Sequence, residues 1–90
     1  MRIILNMRLA QLKPARRCLI RGFADDMTDC YRRRLRELGF CEGAQVECVR
    51  HIPFGGPCIF KVGHAVFSLD AELSRQILIT ENPTEAANPL

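Results

Sequence analysis

The chain has 90 residues, 48% of them hydrophobic and 26% charged, with 13 Lys+Arg against 10 Asp+Glu for a net charge of +3. That is too apolar for a disordered segment and long enough for one small core, so a single domain is expected. No stretch approaches the roughly 20 apolar residues that cross a bilayer. The opening run Met1-Arg2-Ile3-Ile4-Leu5 is broken by Asn6 and Arg8, so no signal-peptide core is expected and the protein is placed in the cytoplasm.

Met7, Leu9 and Leu12, closed by Pro14, predict a short turn or helical lead-in. Residues 15–23 (ARRCLIRGF) predict the first strand, with Gly22 marking a bend or bulge. Asp25-Asp26 offers an N-cap, and apolar residues at 27, 31, 35 and 38 line one face of a helix over 27–38. This pattern places Tyr31 on the buried side, and Asp29 can pair with Arg33 one turn on. Gly39 follows as the residue that ends the helix.

Beyond it the period changes from 3.6 to 2. Ala44, Val46 and Cys48 alternate with Gln45 and Glu47, and Cys58, Phe60 and Val62 alternate with Ile59 and Lys61. Between them Pro53-Phe54-Gly55-Gly56-Pro57 demands a loop. Gly63-His64 suits a two-residue hairpin turn, after which Ala65, Phe67 and Leu69 face one way. Asp70 caps a short helix near 70–76, and residues 77–80 form a last strand. The expected fold is mainly β: a small barrel of about five strands with one inserted helix. Residues 1–80 are read as the single domain and 81–90 as a flexible C-terminal tail.

Charge is uneven. Residues 1–50 hold eleven basic and six acidic side chains, whereas 51–90 hold two and four. The five cysteines (18, 30, 41, 48 and 58) include no CxxC pair, which fits reduced thiols packed as small hydrophobes.

The run Tyr31-Arg32-Arg33-Arg34-Leu35-Arg36-Glu37-Leu38-Gly39-Phe40, followed by Gly43, Val46, Val49, Arg50, Pro53, Gly55 and Pro57, resembles the FeoA family. The pattern continues into Val66-Phe67-Ser68-Leu69 and the apolar Ile77-Leu78-Ile79 ending. The resemblance implies an SH3-like barrel without catalysis, a cytoplasmic accessory of bacterial ferrous iron uptake. Its implied partner is the cytoplasmic GTP-binding region of the membrane ferrous iron permease, which would recruit it to the inner face of the membrane without insertion. Phe54 stands where the family usually has leucine, and Gly56 where it usually has aspartate.

The candidate docking residues are Pro53, Phe54, Gly55, Gly56 and Pro57, with Arg33 and Arg34 on the helix. Proline stiffens the loop and would present Phe54 to a partner's pocket; the competing expectation is that Phe54 folds back over one end of the barrel. The arginine run suits an acidic protein surface but is first a solvated helix face. Nucleic acid is not expected, because only Tyr31 is near for base stacking. Self-association is left open.

No catalytic motif is present: neither GxSxG, HExxH nor a P-loop occurs. No cofactor or metal is expected either. Cys48 and His51, three apart in a strand, should point to opposite faces. The alternative function is a metal- or redox-sensing domain using Cys30, Cys41, His51 or His64.

Overall fold

The inserted helix shows how local chemistry sets the frame. The computed structural model describes residues 7–81. In it the helix α1 runs Asp29–Leu38, two residues shorter at its start than the apolar spacing predicts. Its N-cap is Thr28, whose side-chain oxygen accepts from the Tyr31 amide, and not the Asp25-Asp26 pair. Met27 is buried ahead of the helix, so it belongs to the core but not to the helical face. Tyr31 is 53% exposed, against expectation. Only Leu35 of α1 is fully buried, so the helix meets the core along a narrower stripe than the spacing implies. At the other end Gly39 adopts a left-handed φ of 110°, and the Gly39 and Phe40 amides donate to Arg36 and Leu35 carbonyls.

The strands are β1 (Arg17–Phe23), β2 (Gln45–His51), β3 (Cys58–Val62), β4 (Ala65–Leu69) and β5 (Ile77–Glu81). They form one antiparallel sheet in the order β4-β3-β2-β1-β5. α1 joins β1 to β2. A short helix α2 (Ala71–Ser74) joins β4 to β5, with Asp70 capping it through Oδ1 to the Leu73 amide at 2.7 Å. A 3-10 helix over Leu9–Gln11 precedes the sheet, and its first residue, Leu9, and the residue that follows it, Leu12, are fully buried. Gly63 and His64 make the two-residue turn between β3 and β4.

The alternation predicted for β2 and β3 is seen in their burial, and β1 and β5 bury alternate residues as well. Cys18 and Ile20, Val46 and Cys48, Cys58 and Phe60, and Ile77 and Ile79 all point into one core, completed by Phe40 and Leu69. Phe40 and Phe67 pack with ring centroids 5.6 Å apart, tilted by 59°. Two pairings are irregular: β1 with β5 around Gly22, as predicted, and β2 with β3 between Cys48 and Arg50. The second was not predicted, because no glycine or proline marks it. Glu81, assigned from sequence to the tail, is the last residue of β5; it pairs with Cys18 and lies 3.2 Å from the Arg16 guanidinium. The rest of the expected tail and the opening run lie outside the described residues. No helix among the described residues is long and apolar enough to cross a membrane.

Candidate docking loop and its surroundings

The β2–β3 loop is held by two backbone hydrogen bonds. Ile52 N–H donates to the Pro57 carbonyl at 3.0 Å and Gly56 N–H to the Pro53 carbonyl at 3.3 Å. The inner bond closes a turn with positive φ at both central residues, 62° at Phe54 and 78° at Gly55, as in a type I′ turn. Gly55 suits this backbone, whereas phenylalanine is a costly occupant of the left-handed region. Gly56 serves a different need: a Cβ there would sit 2.6 Å from Ile52 Cγ2.

Phe54 is completely exposed, at 103% of its reference area, so it does not plug the barrel. Pro53 and Gly55 beside it are exposed, while Gly56 and Pro57 are half-buried at the loop's base. Ile52, 37% exposed, adds apolar surface next to it. Phe54 thus combines a costly backbone conformation with a side chain wholly in solvent.

The arginine run separates into different roles. Arg32 is half-buried and donates from Nη2 to the carbonyls of Ala24 at 3.0 Å and Asp25 at 3.1 Å, tying α1 to the loop that precedes it. Arg36 lies 5.5 Å from the Phe23 ring centroid and 3.4 Å from Glu42. Arg33 and Arg34 are exposed and make no ion pair among the described residues. A shallow groove along α1 is lined by Asp29, Arg32, Arg33, Arg36 and Glu37, so both charge signs meet there.

Topology keeps the two candidate surfaces apart. α1 enters from the end of β1 and leaves toward the start of β2, and Gly39 lies against Val62 at the far end of β3. The 53–57 loop caps the opposite end of the β2–β3 hairpin. Arg33 and Arg34 therefore do not share a face with Phe54.

The residues with metal or redox chemistry are dispersed as well. Cys30 and Cys41 are exposed on and after α1, and His64 is in the β3–β4 turn. His51 lies at the loop end of β2. The irregularity between Cys48 and Arg50 reverses the strand's parity, so His51 pairs with Cys58 and shares the inner side with Cys48, contrary to expectation. Its Nε2 lies 2.7 Å from the Leu12 carbonyl oxygen and its Nδ1 3.6 Å from Cys58 Sγ. Burial pushes the thiols up, Cys18 to about 12 and Cys48 to about 11, and raises Cys58 too. They are neutral at physiological pH, poor as metal ligands and as nucleophiles. Among the described residues no three His, Cys, Asp or Glu side chains converge as a metal ion would require.

These features define a small SH3-like domain, a five-stranded antiparallel sheet with a helix inserted between its first two strands and an aromatic-tipped loop. Residues 7–81 match the FeoA domain, and the chain belongs to the FeoA family. A comparison with curated proteins finds no match. Among solved structures, the chain is similar to the crystal structure of an iron uptake regulatory protein, FeoA. That protein is 20% identical, with a TM-score of 0.76 over 84% of this chain and 97% of the other. The zinc complex of Stenotrophomonas maltophilia FeoA is 29% identical, with a TM-score of 0.71 over 81% and 88% of the two chains. It is described as a prokaryotic SH3 domain protein and a candidate ferrous iron transport activating factor. Chlorobium tepidum FeoA is 25% identical, with a TM-score of 0.76 over 83% and 70%.

Proposed function

We propose that this chain is a non-enzymatic accessory of bacterial ferrous iron uptake. It acts by docking on the cytoplasmic GTP-binding region of the membrane ferrous iron permease, with Phe54 as the residue that enters the partner. Membership of the FeoA family supports the pathway, as does the iron-transport role suggested for the Stenotrophomonas maltophilia relative. The observation that carries the docking residue is the complete exposure of Phe54 on a turn held at both sides. Because the loop is already ordered, little entropy is lost when a pocket closes on the ring. Docking changes the permease's activity only if it favours one of its conformations over another.

Arg33 and Arg34, at the other end of the hairpin, contribute through charge if the partner's acidic surface reaches round the domain. Their effect is then on association rate and salt dependence, not on the buried contact.

The test is capture of the permease's cytoplasmic region by wild type, Phe54→Ala and Arg33→Glu/Arg34→Glu, with and without GTP. Wild type is expected to bind and Phe54→Ala to bind at least about tenfold more weakly, with an unchanged melting curve. Equal binding by Phe54→Ala removes the loop from the contact. Absence of binding to the intact permease in membranes, in every nucleotide state, overturns the function.

A further inference from the structure

The two edges of the sheet are treated differently. The outer edge of β5 is covered by the chain itself: Arg8 bridges to Leu78, and Ile79 N–H donates to the Met7 carbonyl at 2.9 Å. β4 lies at the other edge, and among the described residues it pairs with β3 alone. The two-residue turn makes Val62 and Ala65 a hydrogen-bonded pair, so Ala65, Phe67 and Leu69 turn their amides and carbonyls toward β3. Val66 and Ser68 therefore turn theirs outward.

Protein edges are usually blunted by lysine, proline, a bulge or an inward charge. β4, with the sequence AVFSL, has none of these. Its pairing with β3 runs from Val62↔Ala65 to Cys58↔Leu69 without a shift, whereas β1 with β5 and β2 with β3 each carry one. Val66 is 59% exposed on the outer face of this straight, uncharged edge.

We propose that this edge pairs with the same edge of a second copy of the chain, antiparallel about a two-fold axis at Phe67. The register that uses every outward group sets Val66 against Ser68 of the partner and Ser68 against the partner's Val66, four backbone hydrogen bonds in all. Carried outward, it sets His64 across from Asp70 of the partner, and the reverse. Both residues are exposed. The strand is thus flanked by a donor in the turn before it and, after it, by a carboxylate whose Oδ1 caps α2, which is self-complementary in the antiparallel sense; a parallel pairing would set like against like. The identity of the second strand follows from this complementarity. Five residues give a small contact, so the dimer is weak and reversible. The inference does not depend on the permease reading, because its test needs only the purified chain.

The experiment is sedimentation of the full chain over a concentration series, for wild type, Val66→Lys, His64→Asp and His64→Lys. NMR shifts of the 64–70 backbone are followed on dilution. Wild type is expected to dimerise below about 1 mM. Val66→Lys and His64→Asp should raise the dissociation constant about tenfold or more, and His64→Lys should keep or lower it. Dilution should move the Val66 and Ser68 amide signals. His64→Asp changes an exposed turn residue, so it keeps the test intact should Val66→Lys perturb folding. A chain that stays monomeric to about 1 mM, or a dimer indifferent to these substitutions, overturns the proposal.

Discussion

His51 and Cys58, cross-strand partners on β2 and β3, meet side chain to side chain, with Nδ1 3.6 Å from Sγ. The other ring nitrogen lies 2.7 Å from the Leu12 carbonyl oxygen, which accepts only. Nε2 therefore carries the proton of the neutral imidazole, and Nδ1 is left to accept from the Cys58 thiol. The ring links the segment after the 3-10 helix to the loop end of the β2–β3 hairpin. Heteronuclear NMR of the neutral side chain should show the Nε2–H tautomer. His51→Ala should cost about 1–3 kcal/mol in denaturant unfolding, because the half-buried contact leaves a backbone acceptor without its donor. A stability loss below about 0.5 kcal/mol would mean that water replaces the ring at that carbonyl.

The three buried thiols make stability depend on alkaline pH. Cys18 is raised to about 12 and Cys48 to about 11 from an ordinary value of 9.0, chiefly because burial disfavours the thiolate. Above pH 9 the unfolded chain loses these protons while the folded chain keeps them, so stability falls as pH rises. The loss approaches 1.4 kcal/mol per pH unit for each thiol until its folded value is reached. Between pH 9 and 11 the unfolding free energy should drop by several kcal/mol. In Cys18→Ala/Cys48→Ala the absolute stability is lower at pH 7, but the slope over this window should be much shallower. An equally steep slope in that variant would assign the alkaline loss to other groups. Native-state alkylation should label Cys30 and Cys41 quickly, and the other three only on unfolding.

Much of this architecture is legible in the sequence because period and punctuation agree. Alternation marks the core sides of β2 and β3, Gly39 and Asp70 mark helix ends, and Gly63-His64 marks a hairpin. What is not legible has a common physical origin: a local pattern does not reveal where one element meets another. The β2 irregularity carries no glycine, so the side of His51 is misread by counting residues from Cys48. Tyr31 fits the helical stripe, yet the helix rests on the core mainly through Leu35 and leaves the ring in solvent. Arg32 looks like its neighbours, yet it faces the carbonyls of 24 and 25. For the loop over 53–57 the composition shows stiffness but not direction, and the exposure of Phe54 emerges only from the positive φ of two successive residues.

That backbone separates Phe54 from Gly56 by experiment. Asparagine tolerates the left-handed region better than phenylalanine, and Phe54 has no packing to lose. Phe54→Asn should therefore raise stability by about 0.5–1 kcal/mol while weakening permease capture. Gly56→Ala should instead lower it by about 1–3 kcal/mol, since the added Cβ meets Ile52 Cγ2 at 2.6 Å and Ile52 Cβ at 2.9 Å. Paired melting curves decide the matter. A loss of stability in Phe54→Asn would show that the ring makes contacts in solution that hold the loop.

The arginines of α1 offer the same kind of contrast between architecture and recognition. Arg32 is half-buried and donates to two backbone carbonyls at the turn leading into the helix, that of Ala24 in a part-buried position and that of Asp25 in an exposed one. Arg32→Gln cannot reach both, so it should cost about 1–2 kcal/mol in urea unfolding and loosen amide protection around Met27. Arg34, exposed two residues further on, should tolerate Arg34→Glu within about 0.5 kcal/mol. Charge reversal at Arg34 then reports on partner electrostatics without a folding contribution, and a salt-dependent drop in its association rate with the permease would place this end of the domain near an acidic surface. Equal destabilisation by the two substitutions would mean that the helix is held by its whole positive face, and that the Arg32 contacts have no special share in it.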